Sequence, residues 1–226
     1  WARRGRAVNG ARFNRSGWEQ VVFGIVQGAE YEDLRRRSAQ EIMELDFPGY
    51  AIGGLAVGED KQLTRDIIEL CTAMLPADRP RYLMGMGTPL DLVEGIARGV
   101  DMYDCVLPTR NGRTGTVFTR DGRVVLKNAA HVDDFTPIDA QCACSTCRRH
   151  TRAYLRHLFM VGEMLGPMLA TQHNLHFFAD VMREARTSIS ACTAVMIGLA
   201  RLGGGGGSML VPPRGGRPIS AGNSRS

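Results

Sequence analysis

Three cysteines and a distant histidine constrain the fold of this chain more than any other feature. Cys142, Cys144 and Cys147 lie within six residues, and His173 follows the last of them after twenty-five residues. Cysteines at this spacing can converge only on a tight turn, and a separate element, predicted to be a helix, must bring the histidine to them. Three thiolates and one imidazole make the closed tetrahedral ligand set that structural Zn²⁺ prefers. The sequence therefore predicts one structural zinc ion.

Two alternatives to this ligand set stay open from the sequence. The cysteines could be buried thiols or form disulfides. His176 lies three residues after His173, which is helical spacing, and competes for the fourth ligand position. The remaining histidines, His131, His150 and His157, are expected at the surface because four ligands are already supplied.

Length and composition exclude several classes of protein. The chain has 226 residues, enough for one sizeable domain or two small ones. It contains no apolar run of about 18 residues, so a transmembrane helix is not expected. Its Arg-rich beginning lacks the apolar stretch of a secretory signal. Six cysteines in this length do not make a disulfide scaffold, and a reducing, cytoplasmic location is predicted. Because the chain begins with Trp1 rather than Met, it could be a fragment.

The positive charge is concentrated around the metal motif and at the two ends. The formal net charge is +5, and residues 105–157 hold nine Lys or Arg against four Asp. Such a patch could contact phosphates, although a merely solvated face explains the charge equally well.

Apolar runs and amphipathic runs alternate through the first half of the chain. Strands are predicted at Val21–Val26, Tyr50–Ile52, Arg81–Met84 and Val100–Leu107, and helices at Tyr31–Leu45, Gln62–Leu75 and Thr88–Arg98. A strand and a helix repeated in this way indicate βα units and a parallel sheet. Four such units make either a complete small α/β domain or half of an eight-unit barrel.

The pattern changes in the second half. Gly115–Lys127 alternates around Asp121-Gly122 and predicts a β-hairpin, and helices are predicted at Thr151–Leu165 and Gln172–Ile189. Together with the cysteine turn, these elements predict a zinc-binding subdomain over about residues 113–189. Residues 190–226 diverge into a Gly-rich tail that is predicted to be disordered.

Unusual residues follow each predicted strand. They are Gln27-Gly28, Gly53-Gly54-Leu55, Gly85-Met86-Gly87 and Asp104 with Pro108-Thr109-Arg110. Sites in parallel α/β folds are built at the carboxyl ends of strands. Asp104 could be a helix N-cap, an ion-pair partner or a nucleophile, and each glycine could simply make a turn.

Several of these segments together resemble tRNA-guanine transglycosylases. The resemblance is carried by Gly99–Arg110, Phe23–Gly28, Ile52–Glu59, Arg81–Gly85 and the Cys142, Cys144, Cys147, His173 signature, in order and at the spacing of that family. It implies the C-terminal part of a TIM-type (β/α)8 barrel with a zinc-binding insertion. It also implies exchange of guanine at the tRNA wobble position for a 7-deazaguanine, and a homodimer.

The resemblance also assigns roles to individual residues. Asp104 is implied as the catalytic nucleophile. Base recognition is implied for Gln27, Gly54, Leu55 and Met84. Contacts to tRNA are implied for Gly85, Met86, Gly87, Thr88, Pro89, Leu90 and Asp91, and for Thr109, Arg110, Asn111, Gly112 and Arg113. Val57 narrows the implied pocket and favours 7-aminomethyl-7-deazaguanine over queuine.

Two departures from the family pattern matter. Ala29 stands where the family usually has glycine, which costs roughly 1 kcal/mol if the position needs positive φ. The family's acid/base carboxylate and a second base-binding Asp belong to an N-terminal half that has no counterpart here. A non-catalytic, zinc-stabilised tRNA-binding fragment or subunit, or a zinc module without an RNA role, is therefore the competing interpretation.

Overall fold

The computed structural model describes residues 1–10, 21–55 and 60–191. A helix that the sequence does not predict, α1 (Ala2–Gly10), opens the chain. Val57 and residues 192–226, which include almost all of the predicted tail, lie outside the described residues.

Four short parallel strands form the central sheet. They are β1 (Gly24–Val26), β2 (Tyr50–Ile52), β3 (Arg81–Leu83) and β4 (Met102–Tyr103). Their order in the sheet is their order in the chain, β1-β2-β3-β4, and all three pairings are parallel. The predicted mixed α/β architecture with a parallel sheet is therefore confirmed.

Three helices follow these strands close to their predicted bounds. They are α2 (Glu32–Met43), α3 (Lys61–Met74) and α4 (Pro89–Ala97). The start of α3 is fixed by Asp60, whose side chain accepts a hydrogen bond from the Gln62 N–H. Thr88 and Asp91 form a reciprocal capping box at α4, and Pro89 stands where a missing N–H costs nothing.

In the part of the chain that the structure describes, the helices pack on one face of the sheet. Val26, Ile52 and Leu83 point to that face and are 0% exposed within a core shared with α2 and α3. Side chains alternate across a strand, so Ile25 and Met102 belong to the other face through the register that joins all four strands. Ile25 is 39% exposed and Met102 is 45% exposed. Between them in the same register, Ala51 is 1% exposed and Tyr82 is half-buried. This face, which no described helix covers and which is here called the uncovered face, is therefore open at the edge strands β1 and β4, whereas parallel sheets are normally covered on both faces.

The fourth predicted strand is wrong in its second half. Strand β4 ends at Tyr103, and Leu107–Thr114 forms a helix, α5, that ends at Gly115 with φ +87°. Pro108 explains the difference, because proline has no N–H for a sheet ladder and is well suited to the first turn of a helix.

The rest of the described chain forms a unit around its own core, here called the C-terminal unit (residues 116–190). Its hairpin and helices are β5 (Thr116–Thr119), β6 (Gly122–Val125), a 3₁₀ turn (Ala129–His131), α6 (Ser145–Arg149), α7 (Arg152–Met160) and α8 (Leu165–Ser190). The predicted hairpin is confirmed as an antiparallel pair. Helix α7 stops before its predicted end, near Gly162 with φ +76°, and α8 starts seven residues earlier than predicted.

Helix α8 connects the C-terminal unit to the sheet. Phe177 and Phe178 pack with Phe118 of β5 and with Leu92 and Val93 of α4. Helix α8 also lies close to α5 at Gly112, where a Cβ would lie 2.5 Å from the Thr171 hydroxyl oxygen. Within the described residues, no helix combines the length and apolar character needed to cross a membrane.

Candidate active site and metal centre

The four predicted metal ligands converge in the C-terminal unit. The ligand atoms of Cys142, Cys144, Cys147 and His173 all lie within 4.8 Å of one another. Cys144 caps α6 and His173 comes from α8, so a tight turn and a separate helix supply the ligands as predicted. The three sulfur atoms lie 3.7, 3.5 and 3.3 Å from Nδ1 of His173.

These separations fit a tetrahedral zinc ion. Bonds of about 2.3 Å to sulfur and about 2.1 Å to nitrogen place a sulfur and a nitrogen ligand about 3.6 Å apart. Nε2 of His173 lies 2.8 Å from the Phe118 carbonyl oxygen. That contact assigns the proton to Nε2 and turns the Nδ1 lone pair toward the thiols. The site is of the Cys₃His type that holds structural zinc, since four protein ligands leave no open position.

Neither a disulfide nor His176 belongs to this cluster. Cys142, Cys144 and Cys147 are free thiols rather than disulfide partners. His176 does not face them, because its Nε2 lies 3.1 Å from the Asp180 carboxylate.

A neighbour of the histidine ligand was not predicted. Asn174 is 0% exposed, and its side chain accepts from the Phe118 N–H at 3.0 Å. Its amide also donates to the carbonyls of Pro108 and Thr116 at 2.9 and 3.0 Å. Asn174 therefore ties β5 and α5 to the helix that carries the ligand. Only its place beside His173 could have drawn attention to it in the sequence.

Asp104 lies just beyond the carboxyl end of β4, on the exposed edge of the sheet. One of its oxygens, Oδ1, accepts a hydrogen bond from the Tyr82 hydroxyl at 2.6 Å and another from the Gly85 N–H at 2.7 Å. The N-cap of α5 is Val106, so Asp104 does not cap that helix.

These two hydrogen bonds favour the ionised form of the Asp104 carboxylate. The Tyr82 hydroxyl, followed by the Gly85 N–H, holds the pKa of Asp104 below its ordinary value. The same bond raises the pKa of Tyr82, which keeps the phenol a donor. Both bonds end on Oδ1, which leaves Oδ2 outside this pair. The result is an oriented, exposed carboxylate, as a nucleophile requires. Tyr82 is the participant that the sequence did not single out, although it lies in the segment Arg81–Gly85.

The loops after β1 and β2 meet at Gln27. Its amide lies across Gly53 and Gly54, where added Cβ atoms would lie 2.7 Å from Nε2 and from Oε1. Gly54 has φ +66°, a second reason for glycine there. Gln27 and Gly54 are exposed, and Met84 is half-buried. Leu55 is 6% exposed and belongs to the core under the sheet, so its side chain has a packing role.

Several side chains of the segment after β3, which is predicted to contact RNA, pack in the core or cap α4. Met86 packs against the sheet core, and Pro89 is buried. The side chains of Thr88 and Asp91 are engaged in the capping box. Gly85, Gly87 and Leu90 complete this predicted segment, and of these Gly85 is exposed.

The second predicted RNA segment forms α5 itself. Arg110 and Arg113 are exposed, whereas Thr109 and Asn111 are half-buried and Gly112 is buried against α8. An apolar groove of about 860 Å³ lies beside Thr109 and Arg113 along the start of α8.

Two arginines of the basic patch (residues 105–157) form ion pairs, and others are exposed. Arg120 pairs with Glu184, and Arg152 pairs with Asp134. Arg123, Arg148 and Arg149 are exposed, like the two arginines of α5.

Comparisons with known proteins agree with this arrangement. The profile of a family described as queuine tRNA-ribosyltransferase matches residues 1–194. A queuine tRNA-ribosyltransferase of Thermoanaerobacter pseudethanolicus is 52% identical over 189 residues, which are 84% of this chain and 49% of that protein. One of Geobacillus thermodenitrificans is 56% identical over 171 residues, 76% of this chain and 45% of that protein. The chain thus spans about half the length of the curated relatives it matches.

Proposed function

This chain belongs to the queuine tRNA-ribosyltransferase family, and on that premise we propose that it carries the nucleophile and the structural zinc of a tRNA-guanine transglycosylase. The observation that carries the proposal is Asp104, an exposed carboxylate that accepts hydrogen bonds from Tyr82 and Gly85 at the carboxyl edge of the sheet. The reaction exchanges guanine at the tRNA wobble position for a 7-deazaguanine.

In the proposed reaction, Asp104 attacks C1′ of the ribose. A bond forms between a carboxylate oxygen and C1′, and the electron pair of the glycosidic bond leaves with guanine. The incoming base then displaces the aspartate from the opposite face, so two inversions retain configuration, as in retaining glycosidases. The target nucleotide must first leave its stack. Guanine needs a proton to leave, and the incoming base must lose its N9 proton as the new bond forms. The group that gives the first proton and takes the second is expected from the part of the family's protein that this chain does not match.

The proposed base pocket lies on the loops after β1, β2 and β3. Gln27 and Gly54 are exposed there, and an amide side chain both donates and accepts, which suits the edge of a base. Leu55 would support this pocket through its backbone and packing, and Met84 would line it. The preference for 7-aminomethyl-7-deazaguanine over queuine rests on Val57, which lies outside the described residues.

We propose that Arg110 and Arg113 contact the tRNA. Their guanidinium groups are exposed on one short helix and match phosphate geometry. In the segment 85–91, contacts would come from backbone groups, because Thr88 and Asp91 are engaged in the cap of α4. Bound zinc would fix the turn that positions α8 against α5, a structural role without a part in the chemistry.

The four βα units are proposed to be the C-terminal part of a (β/α)8 barrel. The uncovered sheet face, with Ile25 and Met102 exposed, supports this, since the interior of a barrel is covered only when the barrel is closed. Residues 1–189 would then belong to the catalytic domain, and about residues 113–189 to its zinc-binding insertion. The homodimer and the cytoplasmic location are proposed from family membership alone.

Covalent trapping tests the proposed chemistry. The purified chain is mixed with a tRNA carrying a wobble guanine, denatured, and analysed for a protein–RNA adduct. An adduct that disappears in Asp104→Asn is the expected result for a working nucleophile. A folded, zinc-loaded chain that gives no adduct would contradict catalysis by this chain alone. It would support the second candidate, a catalytically incomplete tRNA-binding part, which the half-length match favours.

A further inference from the structure

One buried arginine connects the two loops that are proposed to recognise the base. Arg35 is on α2 and is 0% exposed, although arginine is almost never fully buried without partners. Its guanidinium donates to carbonyl oxygens on both loops. The bonds are Nε to Ala29 (2.8 Å), Nη1 to Val26 (3.2 Å) and Gly53 (2.7 Å), and Nη2 to Gly54 (3.1 Å).

This arrangement is specific to a guanidinium. Its planar fork of five N–H donors can reach four carbonyls in fixed directions, whereas a lysine ammonium is a point charge with three donors. Burying a cation is costly, and well-packed apolar residues often stabilise a core as well as buried charges do. Packing alone therefore gives little reason for Arg35, whereas holding two separate loops in one geometry does.

The bonds to Arg35 also orient the backbone of the second loop. In a planar trans peptide, the C=O and the following N–H point in opposite directions. The carbonyls of Gly53 and Gly54 point to Arg35, so the N–H groups of Gly54 and Leu55 point away from it. The Gln27 amide lies across the same two glycines on the exposed side. Arg35 thus binds the backbone of Gly53 and Gly54 from the buried side, and the Gln27 side chain lies against the same backbone on the exposed side.

The first loop depends on Arg35 as well. Ala29 has φ +48°, a conformation that costs a non-glycine residue roughly 1–2 kcal/mol. Its carbonyl accepts the Nε–H of Arg35, which offsets part of that cost. Gly28 lies against the backbone of α2, where a Cβ would be 2.7 Å from the backbone nitrogen of Arg35.

We propose that Arg35 is a positioning residue for base recognition. Its guanidinium holds the loop 27–29 and the loop 53–54 in a single arrangement, in which Gln27 and the outward backbone N–H groups face the base together. The inference rests on the proposed function for the identity of the ligand. The joining of the two loops is a property of this chain by itself.

The test uses the full zinc-loaded chain and compares Arg35→Lys, Arg35→Ala and the control Arg37→Lys. Arg37 is on the solvent side of the same helix, with a side chain 77% exposed. Two quantities are measured: amide hydrogen exchange across the chain, and the affinity for 7-aminomethyl-7-deazaguanine.

The expected result is local and selective. In Arg35→Lys, exchange in the peptides covering 27–31 and 53–55 accelerates about tenfold or more, because bonds to a charged group are lost there. Exchange in β5 and β6 stays unchanged, and affinity for the base falls by about tenfold or more. Millimolar guanidinium added to Arg35→Ala slows the loop exchange again. Arg37→Lys behaves as wild type.

Other outcomes separate this inference from the proposed function. Loop exchange in Arg35→Lys equal to wild type, or acceleration spread evenly over the chain, would overturn the positioning role. If Arg35→Ala does not fold, Arg35→Lys decides by the same exchange pattern. Wild-type chain that does not bind the base would contradict a base pocket formed by this chain alone, while the exchange data still decide whether Arg35 joins the loops.

Discussion

The C-terminal unit and the sheet build their sites in opposite ways. In the C-terminal unit, His173 and Asn174 are 0% exposed, and all four metal ligands come from one stretch of 32 residues, 142–173. At the sheet, Asp104 is exposed, and no described helix covers the face that carries Ile25 and Met102. The first site is completed by its own sequence neighbours. The second lies beside a face that is open at its edge strands, in a chain that spans about half the length of the relatives it matches.

The largest effect is expected from His173→Ala, which should unfold the C-terminal unit and affect the sheet less. His173→Ala removes one of four ligands, and structural zinc contributes about 10 kcal/mol or more to small metal-dependent folds. We expect loss of bound zinc and of hydrogen-exchange protection in β5 and β6, with smaller losses in β1 and β2. Metal content by mass spectrometry and exchange by peptide measure both.

The control for this prediction is His176→Ala. His176 lies three residues further along α8, and its Nε2 lies 3.1 Å from the Asp180 carboxylate. It should keep one zinc per chain. If His173→Ala retained full zinc, or if protection in β5 and β6 survived zinc removal, the C-terminal unit would not depend on the metal.

The next largest effect is a difference in stability loss between substitutions on the two faces of the sheet. Leu83→Ala on the helix-covered face should cost about 2–5 kcal/mol of unfolding free energy. Ile25→Ala on the uncovered face should cost under about 1 kcal/mol, because its side chain is already 39% exposed. Urea unfolding of both variants measures the difference. Equal costs would mean that the uncovered face, which carries Ile25, is covered in solution.

A longer version of the protein sharpens the same comparison. If the missing half of a barrel covers the uncovered face, Ile25→Ala should become about as costly as Leu83→Ala in the full-length protein. A difference that persists there would argue against barrel closure over this face.

The sequence predicted these two regions to different extents, for physical reasons. The metal ligands were predictable because their spacing alone dictates a converging turn, and the helices because their caps, such as Thr88 with Asp91, are local. Helix α5 was missed because an apolar run with no clear period fits a strand as well as a helix. Tyr82 and Arg35 were missed because their partners lie 22 residues away or are backbone carbonyls of other loops. Such contacts leave no pattern in a single sequence.

A smaller effect concerns Ala29, where the sequence did anticipate strain. The residue has φ +48°, so Ala29→Gly should stabilise the chain by roughly 1 kcal/mol. Asp46 has the same φ and is the matched control, since Asp tolerates this conformation better and its change to glycine should gain less. Thermal unfolding of the two variants compares them. Destabilisation by Ala29→Gly would mean that the loop needs the Ala29 side chain.

The smallest expected effect tests which hydrogen bond lowers the pKa of Asp104. Because the folded pKa of Asp104 is lowered, ionised Asp104 stabilises the fold above its unfolded pKa, and that contribution is lost as pH falls through the folded pKa. Tyr82→Phe removes the largest cause of the lowering, so the pKa of Asp104 should rise and the acid limb of adduct formation should move to higher pH. Carboxylate titration by NMR measures the same shift without substrate. Tyr103→Phe is the control, since the Tyr103 hydroxyl donates to the Leu92 carbonyl at 3.1 Å. An unchanged titration in Tyr82→Phe would contradict the role of the Tyr82 hydroxyl in lowering the pKa of Asp104 and would leave the Gly85 N–H as its cause.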